Sequence, residues 1–172
     1  WVWVVLAGPG VAGTLKDWIG PEIVGDLGAY AMEDMELHDK LTWELAANWK
    51  GVVDGFNENY HAAHLHTISP QDVKDGRFST YFTHGRNGMM VIPYKGVLPT
   101  LNETLDHQSL AICHYTIFPT SVFNNNPNHI QLFRSVPLSV DKTRFEVWEL
   151  WYKGGDEEYL DGVGRHCERL KG

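Results

Sequence analysis

The chain has little cysteine, a deficit of positive charge and no long apolar run. Only Cys113 and Cys167 occur among its 172 residues. Two distant thiols cannot build the disulfide framework of a small secreted domain, and their surroundings lead us to expect a reducing, cytoplasmic setting. Fourteen Lys and Arg against 22 Asp and Glu give a net charge of −8, and the pI is near 5.5. That balance argues against nucleic acid or an anionic membrane as partner. No apolar run approaches the roughly 20 residues that span a bilayer. GxxxxGK(S/T) phosphate loops, GxSxG elbows, internal repeats and low-complexity segments are also absent, so P-loop and serine-hydrolase readings have no motif to rest on. What is plentiful is core material. Hydrophobic residues make up 43% and aromatics 12%, and a chain of this length can bury a core as one domain.

The most informative stretch is Asn48–His66, NWKGVVDGFNENYHAAHLH. Trp49, Val52, Val53, Phe56 and Tyr60 recur at steps of three and four, the pattern of a helix with one buried face. Asn48 is placed to cap it, because its side-chain oxygen can take a first-turn amide. The end of the stretch gathers Glu58, His61, His64 and His66. His61 and His64 share a helical face, whereas His61 and His66, five apart, lie roughly 140° around an ideal helix. The latter pair can face one ion only if the helix stops between them. Ser69 before Pro70 supplies a stop, since a residue preceding proline is pushed out of the α region. The expected arrangement is His61 in the last turn and His66 in the exit loop.

NWK, an acid three residues before a Tyr-His pair, and a second His five further on together resemble the catalytic-domain motif of the Rieske non-haem iron oxygenases. These are the ring-hydroxylating dioxygenases and related monooxygenases. The resemblance implies that His61 and His66 ligate a mononuclear iron. It implies that Glu58 links this iron to the iron–sulfur cluster of a neighbouring subunit. His64 matches no ligand position, and its reading as an ordinary polar or packed histidine stands. Two imidazoles and a carboxylate on one face of Fe(II) leave positions open for oxygen and substrate. Zinc is the nearest chemical rival, because the same donors suit it.

A Rieske [2Fe–2S] centre needs two Cys and two His, in paired Cys-x-His and Cys-x-x-His motifs that this chain lacks. The cluster is therefore expected outside this sequence. WVWVVLAG reads as a buried strand that Gly8-Pro9-Gly10 breaks. It resembles the last strand of the family's Rieske domain, so residues 1–10 are expected to be the tail end of that domain and residues 11–172 the catalytic domain.

Along the rest of the chain, Thr14 is expected to cap a short helix, Leu15–Ile19, closed by Gly20. Met35–Ala46 alternates as a strand. Residues 67–108 read as loops with one strand near 88–94, and as a lid over a pocket. Ala111–Phe118, Ile130–Val136 and Thr143–Tyr152 are three β-prone segments, separated by a turn at Asn124–Asn128 and another at Pro137–Lys142. They form an antiparallel meander. Trp148 and Trp151 are expected to pack against a helix. Cys113 reads as a buried small hydrophobe, His114 and His129 as structural strand residues, and His84 and His107 as loop residues.

Glu157–Lys171 reads as a helix, with acids first and bases last as the dipole favours. The family resemblance implies a third iron ligand, an aspartate from a C-terminal helix. CERLKG resembles the approach to it, which puts the ligand beyond Gly172, with Asp161 as the substitute within the chain and Asp156 its neighbour.

These readings converge on an α+β domain: a curved antiparallel sheet packed against helices, which the resemblance specifies as a helix-grip fold. The implied activity uses mononuclear Fe(II) and O2 to hydroxylate an aromatic or other hydrophobic organic substrate. Electrons would come through a reductase or ferredoxin and a Rieske [2Fe–2S] cluster, in a homotrimer or a trimer with small subunits. The competing readings are a metal-free helix-grip domain holding an apolar ligand, and a zinc-dependent hydrolase.

Overall fold

The computed structural model describes residues 13–61, 76–95, 110–126 and 128–171. The expected strand at 1–10, the histidines His64, His66 and His107, and most of the expected lid lie outside the described residues.

Seven strands form one antiparallel sheet in the order β1-β7-β6-β5-β4-β3-β2. They are β1 (Met35–Leu45), β2 (Thr80–His84), β3 (Asn87–Pro93), β4 (Ala111–Ile117), β5 (Ser121–Asn125), β6 (His129–Ser139) and β7 (Lys142–Tyr152). From β2 to β7 each strand pairs with its sequence neighbour, and β1 closes the row against β7. Among the described residues, helices α1 (Leu15–Ile19), α2 (Pro21–Gly28), α3 (Trp49–Asp54) and α4 (Glu157–Leu170) pack with the sheet in an α+β domain.

Local chemistry explains where most of these elements begin. Thr14 and Asp17 form a reciprocal capping box on α1, satisfying two orphan backbone donors at once. Gly20 closes the helix at φ 100°, and a Cβ there would meet the His84 ring at 2.4 Å. Only glycine fits that turn. Strands β4, β6 and β7 are rich in β-branched and aromatic residues, which suit a pleated, packed surface. The β2–β3 hairpin turns at Gly85 with φ 57°, a left-handed conformation that favours glycine.

The rear face of the sheet carries the main core. Tyr115, Ile117, Ile130 and Leu132 are essentially sealed there against Ile19, Ile23 and Leu27 of α1 and α2. Burying an aliphatic side chain of this size contributes about 1.5–3 kcal/mol, so this face dominates stability. Cys113 is buried among these residues, as expected of a small hydrophobe. The front face is covered by α3 at one end and α4 at the other, with Phe56 over Phe133 and Val147, and Val163 and Cys167 over Trp151. Trp148 borders the rear cluster instead, so the two tryptophans serve opposite faces.

Several expectations need correction. The motif helix ends at Asp54, so Glu58 and His61 sit in the turn beyond it and not in its last turn. Two glycines, Gly51 and Gly55, weaken the helix. Asn57 then turns its side-chain amide back onto the Val53 carbonyl at 3.4 Å, satisfying a group the helix would otherwise use. Tyr60, expected on the buried face, is 75% exposed. Asn124 and Asn125 belong to β5, an unanticipated strand, because tertiary pairing overrides asparagine's turn preference. Strand β6 likewise runs on to Ser139. In β1 a bulge between Leu37 and Asp39 shifts the alternation, so Leu37 pairs across from Leu150 and Leu41 from Val147 on opposite faces.

Candidate metal centre

The motif region is fixed to the front face by its helix start and by the turn after its helix. Asn48 accepts from the Lys50 amide at 3.0 Å and donates to the Val140 carbonyl at 2.6 Å, which caps α3 and ties it to the β6–β7 turn. Phe56 stacks on Phe133 with centroids 4.6 Å apart and on Phe145 at 6.0 Å. Asn57 Oδ1 accepts from Thr116 Oγ1 at 2.6 Å and from Tyr81 Oη at 3.1 Å. One side chain thus joins the turn to β4 and β2.

On this anchored turn Glu58 and His61 meet. The His61 amide donates to Glu58 Oε2 at 3.2 Å, and the His61 ring meets Glu58 Oε1 through Nδ1. Both side chains are more than two-thirds buried. Burial works to raise the Glu58 carboxyl, but the His61 amide, the His61 ring and the Tyr60 amide outweigh it and hold the group below its ordinary value. A carboxylate on Nδ1–H fixes the imidazole tautomer that presents Nε2 as an electron-pair donor. Geometrically, this is a carboxylate-oriented histidine suited to an ion.

The other expected ligands are not brought to this pair within the described residues. His66 lies outside them. Asp161 is 73% exposed on α4 and pairs with Arg165 at 3.8 Å. Asp156 caps α4, accepting from the Tyr159 amide at 2.9 Å.

A second donor cluster was not anticipated from the sequence. His129 of β6, Glu149 of β7 and His166 of α4 place one ligand atom each within 4.8 Å of one another. Register explains it: His129 pairs with Trp151, and Gln131 with Glu149, so all four share the front face under α4. By its strand position alone His129 reads as a structural residue. The overlooked signal was Glu149, an acid at a core position of the alternation Phe145, Val147, Glu149, Trp151.

Three comparisons bear on these residues. The family model described as the ring hydroxylating alpha subunit (catalytic domain) matches residues 32–158. No curated protein matches the chain. Among solved structures, the quaternary ammonium Rieske monooxygenase CntA in complex with L-carnitine superposes with a TM-score of 0.70 at 17% identity, covering 94% of this chain and 42% of its own. Naphthalene 1,2-dioxygenase from Rhodococcus sp. bound to indole superposes with a TM-score of 0.65 at 20% identity, covering 88% and 43%. These likenesses establish a shared fold. The chain spans less than half the length of either structure.

Proposed function

The chain belongs to the family of ring hydroxylating alpha subunits, through their catalytic domain, and from that premise we propose that it is the oxygenase domain of a Rieske-type non-haem iron enzyme. Its substrate would be an aromatic or other hydrophobic organic molecule, hydroxylated with O2. The CntA structure holds L-carnitine and the naphthalene dioxygenase structure holds indole, so both a quaternary ammonium compound and a flat aromatic are reasonable first probes.

The observation that carries this reading is the Glu58–His61 pair inside the matched segment. His61 and His66 would hold the iron, with Glu58 orienting the His61 ring. For the third ligand we favour a carboxylate other than Asp161, because Asp161 faces solvent and is engaged by Arg165. Bound Fe(II) would supply the coordination and reduction of dioxygen. The chain's own part is to hold the imidazole tautomer, to fasten the turn to the sheet by stacking Phe56 on Phe133 and Phe145, and to pass electrons inward through Glu58. Those electrons would come from a Rieske [2Fe–2S] cluster of an adjacent subunit in a trimer, supplied by a reductase or ferredoxin, in the cytoplasm. The α3 and α4 cover of the sheet fits a helix-grip arrangement.

Anaerobic Fe(II) titration of the chain beside its His61→Ala and His166→Ala variants tests the iron assignment. We expect an equivalent that disappears in His61→Ala and survives in His166→Ala. A stoichiometry that His61→Ala leaves undiminished would overturn the assignment.

A further inference from the structure

The front face carries a polar row that the oxygenase reading does not use. His114, Asn124, Gln131 and Glu149 are paired strand to strand across β4, β5, β6 and β7. Glu149 has no exposure at all, and beyond it the row continues to Asp39 of β1, which pairs with Lys171 at 3.0 Å. A buried carboxylate is costly unless hydrogen bonds or a cation compensate it. Gln131 Nε2 donates to Glu149 Oε1 at 2.8 Å, which serves one oxygen. Oε2 is buried with no hydrogen-bond partner among the described residues, and His166 Nε2 lies 3.5 Å from it.

Around that oxygen the fold assembles a donor set. His129 Nε2 or Nδ1, Glu149 and His166 come from two adjacent strands and the helix over them. The His129 ring lies flat on Trp151, with centroids 4.2 Å apart and planes at 11°, which fixes its orientation. Asn124 donates to Gln131 Oε1, and Gln131 in turn holds Glu149. A ligating carboxylate is ordinarily held in this way from behind.

We propose that His129, Glu149 and His166 form a second divalent-cation site, of the zinc class, that fastens α4 to β6 and β7. Two imidazoles and one carboxylate are a donor set that zinc accepts at bond lengths of about 2.0–2.2 Å. Tetrahedral bonds of that length put donors about 3.4 Å apart, which the His166–Glu149 separation of 3.5 Å already matches. The remaining separations are within 4.8 Å, and His166, on the partly exposed side of α4, can close its own distance to His129 by a side-chain adjustment. Water entering past His166 would complete the fourth position. The site is on different elements from Glu58 and His61, and it stands whether or not those residues serve iron.

Cobalt(II) is the probe, since its visible absorption reports low-coordinate nitrogen and oxygen ligation. The chain carrying His61→Ala and His66→Ala, which lacks the motif ligands, is titrated with Co(II) alone and then with Zn(II) in competition. We expect one equivalent bound with visible bands, displaced by zinc, and an upward shift of the thermal midpoint in zinc. Adding Glu149→Gln, which preserves volume, should abolish the bands, and adding His166→Ala at its partly exposed position should do the same. Absence of stoichiometric binding in the motif-deficient chain overturns the site. So does binding that survives both added substitutions. Neither result touches the iron assignment, which is read from the equivalent sensitive to His61.

Discussion

Asn57 does more than any neighbour to place the motif acid and histidine, although it has no chemistry of its own. Its oxygen accepts from the Thr116 hydroxyl, which is buried, and from the Tyr81 hydroxyl, while its amide reaches Val53. Asn57→Ala would strip a buried hydroxyl of its acceptor, and a buried polar group left unmatched costs about 1–3 kcal/mol. Urea denaturation should show a loss of that order, and an unchanged midpoint would mean that the turn is held by Phe56 packing alone. Single residues of this kind resist reading from sequence. Asn57 sits inside a pattern of alternating asparagines, Asn57 and Asn59, and which one anchors the turn depends on partners far away in the chain. Glu58 and His61 were legible because their relation is local. Three residues separate them, and the contact they make spans that same interval.

At the scale of elements, capping and alternation carried the correct expectations. Thr14 and Asn48 each cap a helix through the side-chain oxygen, β1 overlays the one alternating segment, and β3, β4, β6 and β7 overlay the other strand-prone segments. The motif helix was overestimated because its spacing favoured continuation while Gly51 and Gly55 opposed it. Gly51 lies in the interior of α3 with nothing within 4 Å of a built Cβ. Gly51→Ala is therefore expected to stabilise the domain by about 0.5–1 kcal/mol, by restricting the unfolded chain and favouring helix. The denaturation midpoint should rise, and a fall would show that α3 needs that glycine for its approach to the sheet. Strand β5 was missed for the opposite reason. Its asparagines favour turns when isolated, but Asn125 sits opposite Ile130 and Cys113 with 1% exposure.

At the scale of the whole molecule, the proposed role of Glu58 belongs to an assembly larger than this chain. If Glu58 relays electrons from a neighbouring subunit's cluster, Glu58→Gln in the complete enzyme should leave iron content nearly unchanged. Single-turnover electron transfer should slow by about 10–100-fold, the usual range for a group behind a ligand. Full turnover in that variant would remove the bridging role. The same scale also holds the sheet's division of labour. The rear face seals α1 and α2 against strands that supply most of the buried aliphatic surface, and the front face is left to carry polar residues between α3 and α4.

The sequence by itself determined the capped helices, most strands, the Glu58–His61 relation and the family to which the chain belongs, because each is written in residues near one another along the chain. Tertiary structure alone decided that β1 pairs with β7, that a bulge in β1 turns its side chains between faces, and that β5 completes the sheet. It alone also gathered His129, Glu149 and His166, which are separated in sequence and read individually as ordinary strand and helix residues. Strand register and the docking of α4 are set by packing across the whole sheet, and no local spacing encodes them.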